Sequence, residues 1–307
     1  MHRSPPAPDL AAAKRLRALA TRVGPAVAER VTADGRIPDA DVQALVTGHG
    51  LAGPDDVLLL ALAEAAARAD PPVSGYRVGA VGREVPSGDA LLAGNIEFPG
   101  TDLGRTLHAE GVIAVRSFAR GASLATLALT QARPCAHCRQ MLSEFSWAAD
   151  LRIVDPIGHD VRLDDLYPWP FLPASLGESG AAPGSVAWPD LKIADPTVPD
   201  DVAALLTETG ARAHAPYSRC PAAVVLQLHD GRLVAGGTIE SVAFNPTIGP
   251  LAAAIAVLRG GGDVYAGIAS AYLAARDDGP VDDAAAARPL LAAIAPDVML
   301  RVVPWSR

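Results

Sequence analysis

The chain has 307 residues, half of them hydrophobic, with a formal net charge of −8, an isoelectric point near 5.3 and three cysteines. That length can bury substantial cores and predicts two or three folded units. The acidic balance offers no basic track for a nucleic-acid backbone, three cysteines cannot build a disulfide framework, and no uncharged apolar run reaches the roughly eighteen residues of a membrane span.

The opening MHRSPPAPDL has no apolar core of a secretory leader, and the cysteine usage suits a reducing cytoplasm. From residue 9 to about 32, Leu10, Leu16, Leu19, Val23 and Val27 recur at helical spacing behind Asp9, an N-cap candidate. The short KRLR at 14–17 reads as a solvated face of that helix. PDADVQALVTGHG repeats the cap, helix and glycine pattern in miniature, so residues 1–50 are expected to form a small helical domain without catalytic groups. PDDVLLLALAEAAARA then predicts one capped, well-buried helix.

Beyond Pro71-Pro72, two β-rich runs, YRVGAVGRE and ALLAGNIEF, flank the turn residues Pro86, Ser87, Gly88 and Asp89. A helix from His108 follows, then a strand (LATLALTQ), a helix behind Pro134 and a strand (LRIVD). This β-β-α-β-α-β order predicts a mixed sheet covered by helices, with both helices entering from the same side. Sites in such folds lie at helix starts beyond strand ends.

Those two helix starts carry the chemistry. His108-Ala109-Glu110 is followed by Pro134-Cys135-Ala136-His137-Cys138. One imidazole and two thiolates suit a divalent zinc ion, and three protein ligands leave a fourth tetrahedral position for water. Cys135 and Cys138, three apart, fall on one face of a first helical turn, where the free N–H groups and positive helix end are expected to hold both as thiolates. Pro134 suits a helix start, and His137 is expected to point off the other side as a bystander. Glu110 is a surplus carboxylate beside the metal, which is what a proton shuttle requires. Alone, a C-x-x-C also serves structural zinc knuckles, redox pairs and buried small residues. The joined pattern is more specific.

H-x-E with P-C-x-x-C is the signature of zinc nucleobase deaminases, and the chain resembles cytidine deaminases of the homodimeric two-repeat kind. The resemblance implies a duplicated three-layer α/β/α fold behind an all-helical N-terminal domain, with divisions at 1–50, 51–185 and 186–307. It further implies one Zn²⁺ per chain on His108, Cys135 and Cys138, Glu110 as the catalytic acid and base, and a nucleoside substrate. Asn95, Ile96 and Glu97 of GNIEF would hold the ribose, with Asn95 and Glu97 on one strand face. Tyr76 stands where the family stacks an aromatic, usually Phe, on the pyrimidine, and backbone around Ala109 and Pro134 would read the base edge. A zinc deaminase for another cytosine-type nucleoside or base, and a non-catalytic zinc-binding assembly protein, remain as other readings.

Residues 156 to about 190 are rich in Pro, Gly and Ser, but Tyr167, Trp169, Phe171 and Trp188 predict packing across the structure, with Phe171 a candidate for the pocket. An internal repeat follows. Pro72-Val73-Ser74 returns as Pro216-Tyr217-Ser218, an offset of 144, and Gly94-Asn95-Ile96-Glu97 as Gly237-Thr238-Ile239-Glu240, an offset of 143. The chemistry does not return: Gly249-Pro250-Leu251 stands in place of the ligand-x-Glu, and no cysteine follows Cys220, itself expected to be a buried small residue. By resemblance, the second copy packs on the first and helps close a partner's pocket through Phe244.

Overall fold

A computed structural model describes residues 7–130 and 133–305. Helix α1 (Leu10–Ala28) starts where expected, because the Asp9 carboxylate accepts from the Ala11 and Ala12 N–H groups. Its inward stripe includes Leu16, Leu19, Val23 and Val27, while Lys14, Arg15 and Arg17 are exposed. Strand β1 (Arg36–Ile37) precedes α2 (Asp39–His49) and pairs with a later strand, so this segment is not all-helical as the resemblance implied. The sequence behind the next predicted helix forms two, α3 (Pro54–Leu60) and α4 (Leu62–Ala67), parted at Ala61. The step sets α4 close against Gly79, where a Cβ would lie 2.4 Å from the Ala66 nitrogen.

Strands β2 (Gly79–Val85) and β3 (Ala90–Gly94), helix α5 (Ala109–Ala119), β4 (Ser123–Leu129), helix α6 (Ala136–Leu142), β5 (Arg152–Val154), β6 (Asp160–Arg162) and the short α7 (Leu163–Leu166) follow in the expected order. The sheet runs β1-β3-β2-β4-β5-β6, with β4 and β5 parallel and the other pairs antiparallel. Alternation along its strands separates two cores. Val81, Ala90 and Leu92 join the side chains of α1 to α4 on one face; Ala80, Leu91 and Ala93 join α5 on the other.

The later half contains α8 (Asp200–Ala211), β7 (Ala223–Leu228), β8 (Leu233–Gly237), α9 (Pro250–Gly260), β9 (Ile268–Ala275), α10 (Asp283–Ile294) and β10 (Leu300–Pro304). Its four-stranded sheet is ordered β10-β9-β7-β8, with β9 and β10 parallel. Helices α5 and α9 share one apolar core, which joins the halves. The duplication reaches into irregular detail: the register shifts between Arg83 and Glu84 where β2 meets β4, and between Gln227 and Leu228 where β7 meets β9.

The segment between the halves does pack. Phe145 bridges Ala181, and the Trp188 indole N–H donates to the Ala213 carbonyl at 3.0 Å. Trp169, by contrast, is 98% exposed. Among the described residues no helix is long and apolar enough to cross a membrane.

Candidate active site

His108 is the N-cap of α5, in extended conformation, fixed there by reciprocal backbone bonds between Leu107 and Ile96. Cys135 is the N-cap of α6 and Cys138 lies in its first turn; Pro134 stands just outside the helix. Cys135 Sγ is 3.6 Å from His108 Nδ1. The donor atoms of His108, Cys135 and Cys138 lie within 4.8 Å of one another, the only such histidine, cysteine or carboxylate group found among the described residues. Three soft or borderline donors at that spacing, on two rigid helix starts, fit a tetrahedral zinc ion.

The sulfurs are electrostatically unequal. Cys135 is lowered to about 4, chiefly because the Cys138 thiol donates to it; burial opposes this, while the Cys138 and His137 amides and His108 assist. Cys138 is pushed well above the ordinary thiol range by that same donation, by burial and by Glu110. Two adjacent thiolates repel each other, and a cation held between them offsets that repulsion.

Glu110, the second residue of α5, is buried, and burial raises its carboxyl above the usual range. His137 is outside the donor group, its ring 5.9 Å from that of His108, and it lines a second cavity together with His108 and Cys138.

Glu110, Ala109, His108 and Cys135 open into a cavity of about 340 Å³ that is also lined by Tyr76, Asn95 and Glu97. A larger cavity of about 600 Å³ between α1, α3 and the sheet contains no comparable donor set. Asn95 and Glu97 lie just past the end of β3, not within a strand, yet both reach the cavity. The Asn95 amide oxygen accepts from Val78 N–H at 2.9 Å, and its nitrogen donates to the Tyr76 carbonyl at 3.0 Å. Glu97 accepts from the Val73 and Ser74 N–H groups at 2.9 and 2.8 Å and from the Ser74 hydroxyl at 2.5 Å. Burial works to raise the Glu97 carboxyl, but the Ser74 hydroxyl and the two amides outweigh it and hold it low.

Ile96 does not belong with them. It is 1% exposed and packed in the core, its backbone aligning the strand end with Leu107, and it is not among the residues that line the cavity. Phe171 is outside the cavity lining as well, with an exposed ring and a carbonyl that accepts from Gln140. Ser74, Thr106 and Arg133 line the cavity without having been singled out for it. For Ser74 the signal was present, because Pro72-Val73-Ser74 was half of the repeat.

The second half keeps the frame of this site. Tyr217 and Ser218 N–H groups donate to Glu240 at 2.8 and 3.1 Å, as Val73 and Ser74 do to Glu97. Gly249 caps α9 in the conformation of His108, so Gly249-Pro250-Leu251 occupies the place of His108-Ala109-Glu110 without a ligand or an acid. Cys220 is buried; Phe244 is 62% exposed and lies outside the cavity of its own chain.

A family model described as the cytidine and deoxycytidylate deaminase zinc-binding region matches residues 54–151, and a second of the same description matches residues 189–288. The cytidine deaminase of Enterobacter sp. is 34% identical over 223 residues, 73% of this chain and 73% of its own length; that of Sodalis glossinidius is 32% identical over 298 residues, 94% of each. The chain belongs to the cytidine deaminase family. Among solved structures, the cytidine deaminase of Mycobacterium tuberculosis aligns over 38% of this chain and 95% of its own, at 33% identity and a TM-score of 0.33. Zinc is the family's metal by those descriptions, and the first matched region holds His108, Cys135 and Cys138. The second match, over a half that lacks such a group among the described residues, follows a deaminase frame whose chemistry has been lost.

Proposed function

We propose that the protein hydrolytically deaminates cytidine and deoxycytidine, releasing ammonia and the corresponding uridine. The observation that carries this reading is that one cavity is lined by His108 and Cys135 of the three-donor metal group, by a buried acid and by a polar pair suited to a sugar. His108, Cys135 and Cys138 would hold Zn²⁺, which when bound polarises water at neutral pH.

Glu110 moves the protons. Its carboxylate accepts one from the attacking water and delivers it to ring N3, which makes C4 electrophilic, and then carries a second to the departing amine. Burial supports the role, because an acid with a raised pKa gives up its proton only when a stronger acceptor forms. Asn95 and Glu97 retain a spare N–H and spare lone pairs beyond their loop contacts, and these receive the ribose hydroxyls. Tyr76, exposed at the cavity wall, stacks on the pyrimidine, and backbone at Ala109 and Pro134 reads its edge.

In this reading residues 51–185 form the catalytic domain, 1–50 the N-terminal domain and 186–307 a supporting deaminase-like domain. The protein works as a cytoplasmic homodimer in pyrimidine salvage. Exposed Leu103, Trp169 and Phe244 supply apolar surface for pairing, with Phe244 closing the partner's pocket. Purified zinc-loaded protein and its Glu110→Gln variant, incubated with cytidine while absorbance and ammonia are followed, test the assignment. A zinc-replete wild type that releases no ammonia overturns it.

A further inference from the structure

Arg133 lies half-buried at the wall of the same cavity, immediately before Pro134 and Cys135, and its guanidinium is not left to solvent. One terminal nitrogen lies 3.1 Å from His159 Nε2. Arginine only donates, so Nε2 must be the bare nitrogen of a neutral ring, and the ring proton must reside on Nδ1. That nitrogen is 2.7 Å from the carboxylate of Asp155. The other Asp155 oxygen accepts from the Ile157 and His159 N–H groups, both at 3.0 Å, so the carboxylate cannot swing away.

His159 and Asp155 are both buried. Their turn, between β5 and β6, is braced from outside: Asp9 N–H at the start of α1 donates to the Gly158 carbonyl at 2.8 Å. Gly158 has φ +95° and lies so close to Asp9 that a Cβ would meet the Asp9 carbonyl oxygen at 2.2 Å. A glycine is required there on both counts. A directional chain thus runs from the N-terminal segment through Asp155 and His159 to Arg133, a residue of the cavity wall.

We propose that Arg133 is a substrate-orienting residue of this pocket, that His159 and Asp155 are its positioning residues, and that its remaining N–H groups take an oxygen acceptor of the nucleoside, a carbonyl or a hydroxyl. The inference rests on the deaminase reading for its substrate, but the clamp itself does not. Fixing the guanidinium in advance removes the rotamer freedom that a long side chain otherwise loses on binding. The arrangement follows the rule by which outer partners set the tautomer and aim of a working group.

Asp155→Asn separates this from a structural role. Its amide oxygen can still accept from the two backbone N–H groups, while its NH₂ meets Nδ1 and drives the ring proton to Nε2, where it opposes the Arg133 donor. Zinc-loaded full-length Arg133→Ala should raise the KM for cytidine about tenfold with kcat within about twofold, the loss of one charge-assisted hydrogen bond. Asp155→Asn should produce a similar KM increase, and the double variant should be no worse than Arg133→Ala alone. Nitrogen NMR of ¹⁵N-histidine-labelled protein should place the His159 proton on Nδ1 in the wild type and on Nε2 in Asp155→Asn. An unchanged KM in Arg133→Ala overturns the proposal, as does fully additive behaviour or a wild-type proton on Nε2. If wild type fails to deaminate cytidine while its His159 proton sits on Nδ1, the deaminase reading has failed, the substrate role of Arg133 falls with it, and the clamp stands.

Discussion

Asp283 supplies a stability test whose size follows from its surroundings. It opens α10 and is buried, with no arginine or lysine partner among the described residues. Burial, followed by the nearby Glu240 and Asp282 carboxylates, pushes it up to about 6. The folded protein therefore binds this proton more tightly than the unfolded chain, whose carboxyl titrates near about 3.9, and the stability from the neutral acid is lost as pH rises from about 4 through 6. Asp283 should cost about 1.5 kcal/mol at pH 5, where the unfolded chain has ionised and the folded group has not, and about 3 kcal/mol at pH 7.5, relative to a neutral group of the same shape. Urea denaturation of wild type and Asp283→Asn at those two pH values reads the difference directly, and the variant's advantage should roughly double between them. A gap independent of pH, or a variant less stable at pH 7.5, would refute the reasoning.

Glu110→Gln should lower kcat by about 10² to 10⁴, the usual contribution of general acid and base catalysis, with zinc content unchanged by elemental analysis. Wild type should carry one zinc per chain, and Cys138→Ser should lose both metal and activity; a full zinc complement in that variant would remove Cys138 from the ligand set. Glu97→Ala should raise KM and also increase proteolytic cleavage near residues 71–78, since Val73 and Ser74 lose the acceptor that fastens their loop. Gly236→Ala should destabilise the protein by about 3 kcal/mol, because its Cβ would lie 2.0 Å from the backbone nitrogen of Ala254 and main chain cannot step aside. Calorimetry showing an unchanged Tm would contradict that contact.

The metal trio was legible because its spacings encode helix starts: a histidine two positions before an acid and two cysteines three apart can be placed without knowing the tertiary fold. The repeat was legible for a similar reason, since its loop and strand signatures recur at nearly constant offset. What escaped depends on contacts that have no period. Ala61 is a good helix former, so no local helix breaker marks the step between α3 and α4 that sets α4 close against Gly79. Strand β1 has two residues and exists only because β3 offers an edge. Ile96 sits between two cavity residues, and the burial of its side chain in the core becomes evident only when the strand end meets Leu107. The electrostatic inequality of Cys135 and Cys138 is a property of the assembled pair, and Arg133 meets His159 across two loops that sequence spacing does not join.

The carboxylate that fastens the loop at residues 73–74 has a counterpart in Glu240, which grips residues 217–218 in a half where, among the described residues, no histidine, cysteine and carboxylate group able to hold a metal is found. The same latch thus forms without a metal group beside it. The seat beside Glu97 is accordingly built during folding, and an arriving nucleoside meets a finished contour instead of having to draw one together.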